Sequence, residues 1–239
     1  MMFWIIAATT LAASFISGLS GFGFGLVAMA LLPLLMGIKL ANAFVSFCGL
    51  AIFTSLTIPL RKHIAWKALL PLLVGTALGV PIGVYGLVNL PEGLLLKILA
   101  GFILTYVVFT IVTQNRAHFH MDRRWGYLAG FVGGIISGAL SAGGPPVIMY
   151  CDSLDLGKKG FKATLQVYFV LLILYKVPLF YVTGLLTAEL GRTLLYYSPF
   201  VAAGTVCGVL LFHRLSDRWF RRVVLILLTA FAMIMIIKS

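Results

Sequence analysis

Long apolar blocks alternate with short polar breaks along the whole chain. The blocks cover about residues 2–36, 41–60, 66–89, 94–113, 125–151, 161–183, 193–212 and 220–237. Charged residues concentrate in the breaks, as in residues 61–63 (Arg-Lys-His) and in the segment 152–160. Because about 20 apolar residues form one helical membrane crossing, the pattern predicts eight helical elements within a bilayer.

The composition supports a membrane protein and excludes other classes. Hydrophobic residues make up 62% of the 239 residues and charged residues only 10%, against about 25% charged in soluble domains. A water-soluble globular protein, a disordered chain and a secreted disulfide scaffold are all excluded. Little chain is left for a soluble part, so we expect one transmembrane domain over residues 1–239, with the lipid bilayer as its partner.

The net charge of +12 comes from 18 Lys and Arg against six Asp and Glu. These basic residues lie in short loops, which is typical of the positive-inside signal of a membrane protein. No basic stretch is interleaved with aromatic residues as a nucleic-acid surface requires, so we expect no nucleic-acid partner. The loop charges favour a bacterial inner membrane.

Two segments of the first half recur in the second half in the same order. Residues 16–23 (Ile-Ser-Gly-Leu-Ser-Gly-Phe-Gly) match 136–144 (Ile-Ser-Gly-Ala-Leu-Ser-Ala-Gly-Gly), and 75–80 (Gly-Thr-Ala-Leu-Gly-Val) match 204–209 (Gly-Thr-Val-Cys-Gly-Val). The consistent order predicts an internal duplication. The two repeats would cover about residues 1–118 and 119–239.

The distribution of basic residues distinguishes two topologies. If all eight blocks cross the membrane, in a 4+4 arrangement, the loop charges divide into eight and nine. If blocks one and five are re-entrant hairpins, thirteen lie on one side and four on the other, namely Lys39, Lys97, Arg192 and Lys238. The positive-inside rule favours the hairpins. We therefore predict an all-α integral membrane protein of two inverted repeats, each a re-entrant helical hairpin plus three transmembrane helices, with both termini outside.

Block one is too long for one upright helix. Split at its glycines, it gives two arms of roughly 15 residues, about 22 Å each, which reach the middle of a 30 Å hydrocarbon layer without crossing it. Block five contains Gly-Gly-Pro-Pro and is expected to break in the same way, with shorter arms.

The first break carries candidate binding residues. Four glycines lie within residues 18–25, and irregular backbone at membrane depth occurs only against protein or a water-filled cavity. The helix that restarts there presents free N–H groups and a positive dipole end, which suit an anion. The alternative is tight helix packing through small residues. The candidates are Ser20, Gly21, Gly23 and Gly25.

The matching segment of the second half is residues 141–146 (Ser-Ala-Gly-Gly-Pro-Pro). Proline is favoured at the first position of a helix, so a second helix start is expected there. Two inverted helix starts would form one anion pocket near the membrane midplane. The candidates are Ser141, Gly143, Gly144 and Pro145.

Lys176 is the one charged residue well inside an apolar block, and such residues are functional candidates by default. It would supply positive charge to a bound anion; the alternative is snorkelling toward the outer face. Gln166 and Asn42 are further candidates, with an ordinary interhelical hydrogen bond as the alternative. We expect no metal, no cofactor and no enzymatic activity, because no ligand cluster and no nucleophile–base pair stands out.

The duplicated blocks, the Ser-Gly-x-Ser-Gly-Phe-Gly-x-Gly segment and the Ser-Ala-Gly-Gly-Pro-Pro segment together resemble the TauE/SafE sulfite exporter family, whose members are also called toluene-sulfonate uptake permeases. The resemblance implies a carrier of sulfur-containing anions such as sulfite and organosulfonates. It carries over segments 17–25 and 141–146, and it does not carry over Lys176.

We expect a secondary exporter of small sulfur-containing anions, with one repeat rocking against the other. Export of a monovalent anion from a negative interior gains about 2.3 kcal/mol per 100 mV and needs no coupling ion. The alternatives are a passive anion channel, which differs only in rate and saturation, and a non-transporting membrane scaffold with packing glycines.

Overall fold

The computed structural model describes residues 2–112, 121–211 and 228–229. Within these residues the ordered structure is helical and no strand occurs. The helices are α1 (Met2–Ser20), α2 (Phe24–Leu31), α3 (Pro33–Met36), α4 (Ile38–Thr57), a 3₁₀ helix (Ile58–His63), α5 (Trp66–Asn89), α6 (Glu92–Val112), α7 (Trp125–Leu140), α8 (Gly144–Asp152), α9 (Gly157–Val182) and α10 (Ala188–Leu211).

Six of the described helices are long and apolar enough to span a membrane. They are α1, α4 with the 3₁₀ helix, α5, α6, α9 and α10. Helix α7 is apolar but has only 16 residues. The predicted multi-pass, all-helical protein is therefore confirmed, and seven of the eight apolar blocks correspond to described helices. The eighth block, 220–237, lies almost wholly outside the described residues.

Block one breaks at the predicted glycines but into unequal arms. Gly21 and Gly23 have positive φ angles of 82° and 94°, a conformation that costs glycine little and ends α1. Helix α1 has 19 residues, about 28 Å, so it is longer than predicted. The second arm, residues 24–36, passes through a helical Leu32 into α3, which begins at Pro33. Pro33 has no N–H group, so one helical hydrogen bond is missing there.

Helix α8 folds back antiparallel on α7. Gly143, at the start of α8, packs against Gly133, and Val147 packs against the same glycine. Further along, the Tyr150 hydroxyl donates to the carbonyl of Arg123 at 3.3 Å, close to where α7 begins. The first residues of α7 and the last residues of α8 therefore lie at the same end, and their junction at 141–143 forms a tip.

Helices α5 and α7 pack backbone to backbone through glycines, a contact that we call the α5–α7 seam. A Cβ atom on Gly75 would fall on the Tyr127 carbonyl, and one on Gly83 would fall on the Ile135 carbonyl. The order of these contacts makes the two helices parallel. Small residues at four-residue spacing permit such close approach in membranes, and the seam glycines are Gly75, Gly79, Gly83, Gly130, Gly134 and Gly138.

A second contact of the same kind, the α1–α10 seam, joins the two ends of the described chain. Gly204 packs against Ser14 and the Leu11 carbonyl, and Gly208 packs against the Phe15 carbonyl and Gly18. These helices are also parallel. Each seam thus joins the first arm of one broken block to a helix from the other half of the chain.

The antiparallel pair α4 and α9 contacts members of both seams. Ser46 meets Lys176 near the middle of α4, and Phe53 stacks on Phe169 nearer its end, with ring centroids 4.9 Å apart. Helix α9 also contacts α5, since the Tyr168 hydroxyl lies 2.9 Å from Thr76 Oγ1. The polar residues Asn42 and Ser46 of α4 and Gln166 and Lys176 of α9 are buried.

Candidate functional site

Lys176 lies at the centre of a buried polar cluster. Its side chain is 1% exposed, and it lies six residues, about 9 Å, before the end of α9. The ammonium nitrogen points into the protein, so snorkelling to the outer face is excluded. Nζ donates hydrogen bonds to Asn42 Oδ1 at 3.0 Å, Ser46 Oγ at 2.9 Å, the Ser137 carbonyl at 2.8 Å and Ser141 Oγ at 3.0 Å.

We call these five residues the Lys176 cluster. Its oxygens come from two elements, because Asn42 and Ser46 are one turn apart on α4 while Ser137 and Ser141 lie at the end of α7. All four acceptors are neutral. The Phe180 ring is also close, with its centroid 4.9 Å from Nζ. A buried cation held by neutral groups lacks the compensation that a counter-charge gives in a low-dielectric region.

Asn42 connects the cluster to the end of α7 through hydrogen bonds. Its Nδ2 donates to the carbonyls of Gly138 at 3.3 Å and Ala139 at 2.7 Å. These carbonyls belong to the last turn of α7, where helical partners are missing. The interhelical hydrogen bond expected for Asn42 is present, and its Oδ1 faces Lys176 as well.

Ser141 has an unusual backbone at the tip between α7 and α8. Its φ of 49° lies in the left-handed region, which costs a residue with a Cβ roughly 1–2 kcal/mol. The conformation brings Oγ within 3.1 Å of Ser46 Oγ and 3.0 Å of Asn42 Oδ1. The strained backbone of Ser141 therefore places its hydroxyl directly beside Lys176.

The two glycine-rich breaks meet at one point. A Cβ atom on Gly25, in the first turn of α2, would fall on the Ser141 carbonyl. The structure therefore brings Gly25, Ser141, Lys176 and Asn42 together.

The other side of the first break holds a second set of polar groups. Nε2 of Gln166 lies 3.3 Å from the position that a Gly21 Cβ would occupy, and Cδ and Cε of Lys162 lie 3.7 Å from it. Gln166 Oε1 and Ser17 Oγ are buried without a hydrogen-bond partner among the described residues. Gln166 thus adjoins Gly21 rather than Lys176.

The remaining predicted residues have more limited roles in this geometry. Gly23 is the N-cap of α2, and Ser20 ends α1 with a side chain that lies outside the described part. Gly143 is packed against Gly133 and the Ser137 side chain, so a bulky residue there would disturb the α7–α8 contact as well as any ligand. Gly144 lies near Phe169, with its Cβ position 3.5 Å from the ring.

Pro145 is buried in the first turn of α8, as its position before an apolar segment predicts. Pro145 and Pro146 have no N–H group, so the start of α8 offers fewer donors than an ordinary helix start. Any anion recognition on this side therefore depends on Lys176 and the hydroxyls more than on the dipole end of α8.

The described residues form no metal-binding group, and one groove that they line lies apart from the site. Among the described residues no three His, Cys, Asp or Glu side chains are grouped for a metal ion. An open groove of about 290 Å³ is lined by Thr54, Thr57, Ile58, Arg61, Val167, Val170 and Leu171. None of the predicted binding residues lines this groove, so the groove is separate from the Lys176 cluster.

Comparison with known families agrees with these features. A family model described as sulfite exporter TauE/SafE matches residues 6–235. The chain belongs to the TauE/SafE sulfite exporter family. The family consists of membrane transporters, which accords with the six membrane-length helices and the buried cation. No curated protein and no solved structure gave a significant match.

In this TauE/SafE protein the sequence interpretation missed Ser46, Ser137 and Lys162. Ser46 follows Asn42 by four residues, so helical periodicity alone places both on one face of α4. Ser137 contributes a backbone carbonyl, for which the side-chain type gives no signal. Lys162 precedes Gln166 by four residues and lies on the same face of α9.

Proposed function

We propose that the chain is a secondary exporter of small sulfur-containing anions, sulfite or organosulfonates, which it binds where the two glycine-rich tips meet, with Lys176 as the counter-charge. The observation that carries the proposal is the buried Nζ of Lys176, whose hydrogen-bond partners among the described residues are all neutral oxygens. A charged side chain within a membrane protein is costly unless it is paired. A small oxyanion supplies the missing partner and is recognised by the same charge.

The ligands of Lys176 are suited to exchange with an anion. The Ser46 and Ser141 hydroxyls accept from Nζ and donate to Asn42 oxygens. A hydroxyl can rotate its proton toward an arriving oxyanion while it remains near the ammonium. The Lys176 cluster therefore combines one positive charge with two adaptable donors, which matches a tetrahedral or pyramidal oxyanion.

The arrangement of helices supports the inverted-repeat, re-entrant architecture that this proposal includes. Corresponding helices of the two halves, α4 and α9, run antiparallel, as an odd number of crossings per half requires. In the two halves α1 corresponds to α7, and α5 corresponds to α10. Each seam pairs a helix of one half with a helix of the other, α1 with α10 and α7 with α5. Helix α8 returns along α7, as a hairpin that enters and leaves on one side would.

The direction of transport follows from charge. A negative cell interior drives a monovalent anion outward by about 2.3 kcal/mol per 100 mV without a coupled cation. The described transmembrane helices contain acidic residues only at their ends, for example Glu92 in the first turn of α6 and Glu189 in that of α10. This distribution supports electrogenic uniport, because a buried carboxylate for proton coupling is missing from the interior of the described spans.

The test is anion-dependent thermal stability of the purified protein in detergent, with sulfite, sulfate, 2-hydroxyethanesulfonate, lactate and chloride at matched ionic strength. A ligand present at 100 times its Kd should stabilise the folded protein by about 2.7 kcal/mol. Lys176→Met removes the charge at similar volume and should abolish the shift. Lys159→Met, at an exposed position near the start of the same helix, should retain it.

The outcomes separate the alternatives. A sulfur-oxyanion shift that persists in Lys176→Met would remove this residue from the site. No shift with any anion would favour the non-transporting scaffold. Saturable uptake into proteoliposomes would support a carrier, and non-saturating flux would support an anion channel.

A further inference from the structure

We infer that the tip between α1 and α2 forms a second anion contact site, built from Gln166, Ser17 and Lys162 around Gly21, which selects sulfur oxyanions that also carry a hydrogen-bond donor. The ligand class comprises hydrogensulfite and hydroxy- or aminoalkanesulfonates. The inference rests on the proposed anion transport and assigns a specificity-determining residue, Gln166, that lies apart from Lys176.

The first step is that two buried oxygen atoms near this tip have no hydrogen-bond partner among the described residues. Gln166 is 2% exposed and Ser17 is fully buried, yet Gln166 Oε1 and Ser17 Oγ have no hydrogen-bond partner within the described chain. An unpartnered buried polar group is unfavourable, because it has lost its hydrogen bonds to water without replacement. In native proteins such groups are rare and point to a ligand or to a functional role. Here two of them occur beside one glycine-rich break.

The second step is the comparison of the two tips. Ser137, Ser141 and Asn42 surround the Lys176 ammonium at the end of α7. At the end of α1 the matching positions are Ser17 and Gly21, where the Gly21 amide donates to the Ser17 carbonyl at 2.7 Å, and Gln166 of α9 lies beside Gly21. The polar groups of the α7 tip are satisfied by Lys176, while those at the α1 tip include two unpartnered oxygens.

The third step is the chemistry of the groups. The Gln166 amide offers a donor and an acceptor, and the Ser17 hydroxyl can act as either. The half-buried Lys162, whose stem lies against the tip, supplies positive charge. An oxyanion accepts from the amide and hydroxyl donors and is attracted by the positive charge of Lys162, whereas Oε1 of Gln166 needs a donor from the ligand. An anion without such a donor would leave Oε1 unpaired.

The position of this site gives it a place on the transport path. Gln166 and Lys176 are ten residues apart on α9, about 15 Å, and the Gly25–Ser141 contact lies at the junction of the two tips. Gln166 is nearer the 152–160 loop, the cytoplasmic side in the proposed topology. An exported anion would meet Gln166 first and Lys176 second.

The experiment compares two probes of similar shape, 2-hydroxyethanesulfonate and propane-1-sulfonate, by calorimetric titration of the full chain in detergent. The wild type should bind the hydroxyl compound about tenfold more tightly, because the methyl analogue leaves a buried acceptor unpaired. Gln166→Met should reduce this ratio to about one. Lys176→Met should weaken both probes while the Gln166-dependent preference remains in any residual binding.

The readouts distinguish specificity from structure. Thermal stability of the ligand-free Gln166→Met protein should be unchanged or higher, since no hydrogen bond of Oε1 is lost; a purely structural Gln166 would lower it. Ser17→Ala provides a smaller change, should one variant fail to fold, and should reduce the preference partially. A preference that persists in both variants would overturn the inference, whereas absence of binding of either sulfonate to the wild type would overturn the proposed function itself.

Discussion

At the scale of single residues, Ser141 combines backbone strain with a contact to the only buried charge of the cluster. Ser141 adopts a left-handed backbone conformation that glycine would adopt at lower cost. The equivalent position of the first half is indeed a glycine, Gly21. The hydroxyl is the feature that glycine cannot supply. We therefore regard Ser141 as a positioning and binding residue whose side chain, rather than its backbone, explains why serine is present.

Replacement of Ser141 by aspartate should supply the counter-charge that we assign to the substrate. Aspartate tolerates the left-handed region better than most residues, and its carboxylate would lie beside the Lys176 ammonium. Ser141→Asp should raise the free energy of unfolding by about 2 kcal/mol and should weaken anion binding at least tenfold. Thermal unfolding and calorimetric titration measure the two effects.

The matched control is Ser141→Asn, which has the same shape and backbone preference without the charge. It should gain little stability and should keep a larger share of the anion affinity. Equal binding by the Asp and Asn variants would show that charge at this position does not compete with the ligand.

At the scale of elements, the glycine seams determine which helices remain together. In the α5–α7 seam a single methyl group has no space, because a Cβ on Gly79 would fall on the Phe131 carbonyl. Backbone atoms on both sides cannot move as a flexible side chain does. The seam therefore fixes the depth of α7 relative to α5 and, through α7, the position of Ser141.

Gly79→Ala should lower the free energy of unfolding by about 1–3 kcal/mol, the usual cost of overpacking. Gly101→Ala is the matched control, because a Cβ at Gly101 in α6 meets no atom within 4 Å. There the better helix propensity of alanine should give a gain of up to about 1 kcal/mol. Denaturant or thermal unfolding in one detergent compares them, and equal effects of both changes would contradict the seam.

The periodic elements could be predicted from the sequence, and the site only in part. Block boundaries at 66–89 and 125–151 agree closely with α5 and with α7–α8, because charge and glycine mark the ends of apolar helices. The roughly equal arms predicted for block one were wrong, since Gly21 rather than Gly18 ends α1. Gly18 stays helical because it serves the α1–α10 seam, a tertiary contact that local propensity does not reveal.

The contacts of Lys176 depend on which helices become neighbours. Its charge within an apolar block identified it as a candidate, but four oxygens from α4 and α7 surround it only after α9 has packed between them. Asn42 and Ser141 were predicted on other grounds, and Ser46 could be inferred only from its four-residue spacing from Asn42.

At the scale of the whole molecule, the seams connect the two halves. A rocking motion that treats each repeat as one rigid body would separate α1 from α10 and α5 from α7. We expect instead that α1 moves with α10 and α7 with α5, so that relative motion occurs at the Gly25–Ser141 contact.

The predicted topology can be tested by labelling intact cells with a membrane-impermeant maleimide. In a background with Cys48, Cys151 and Cys207 replaced by Ala, Arg192→Cys should be labelled from outside and Arg61→Cys only after permeabilisation. The re-entrant hairpins place these two positions on opposite sides. Eight full crossings place them on the same side, so equal labelling would support that arrangement.

The seams also determine how long a helix remains without its packing partner while the chain is being synthesised. Gly75 and its partner region at Gly130 are separated by 55 residues, whereas Gly18 and its partner Gly208 are separated by 190. At about 5–20 residues per second, α7 follows α5 within about 3–11 s, while α1 waits about 10–40 s for α10. Helix α1 therefore waits longer for its glycine-lined neighbour than α5 does, and a ribosome that stalls between α9 and α10 leaves α1 without α10.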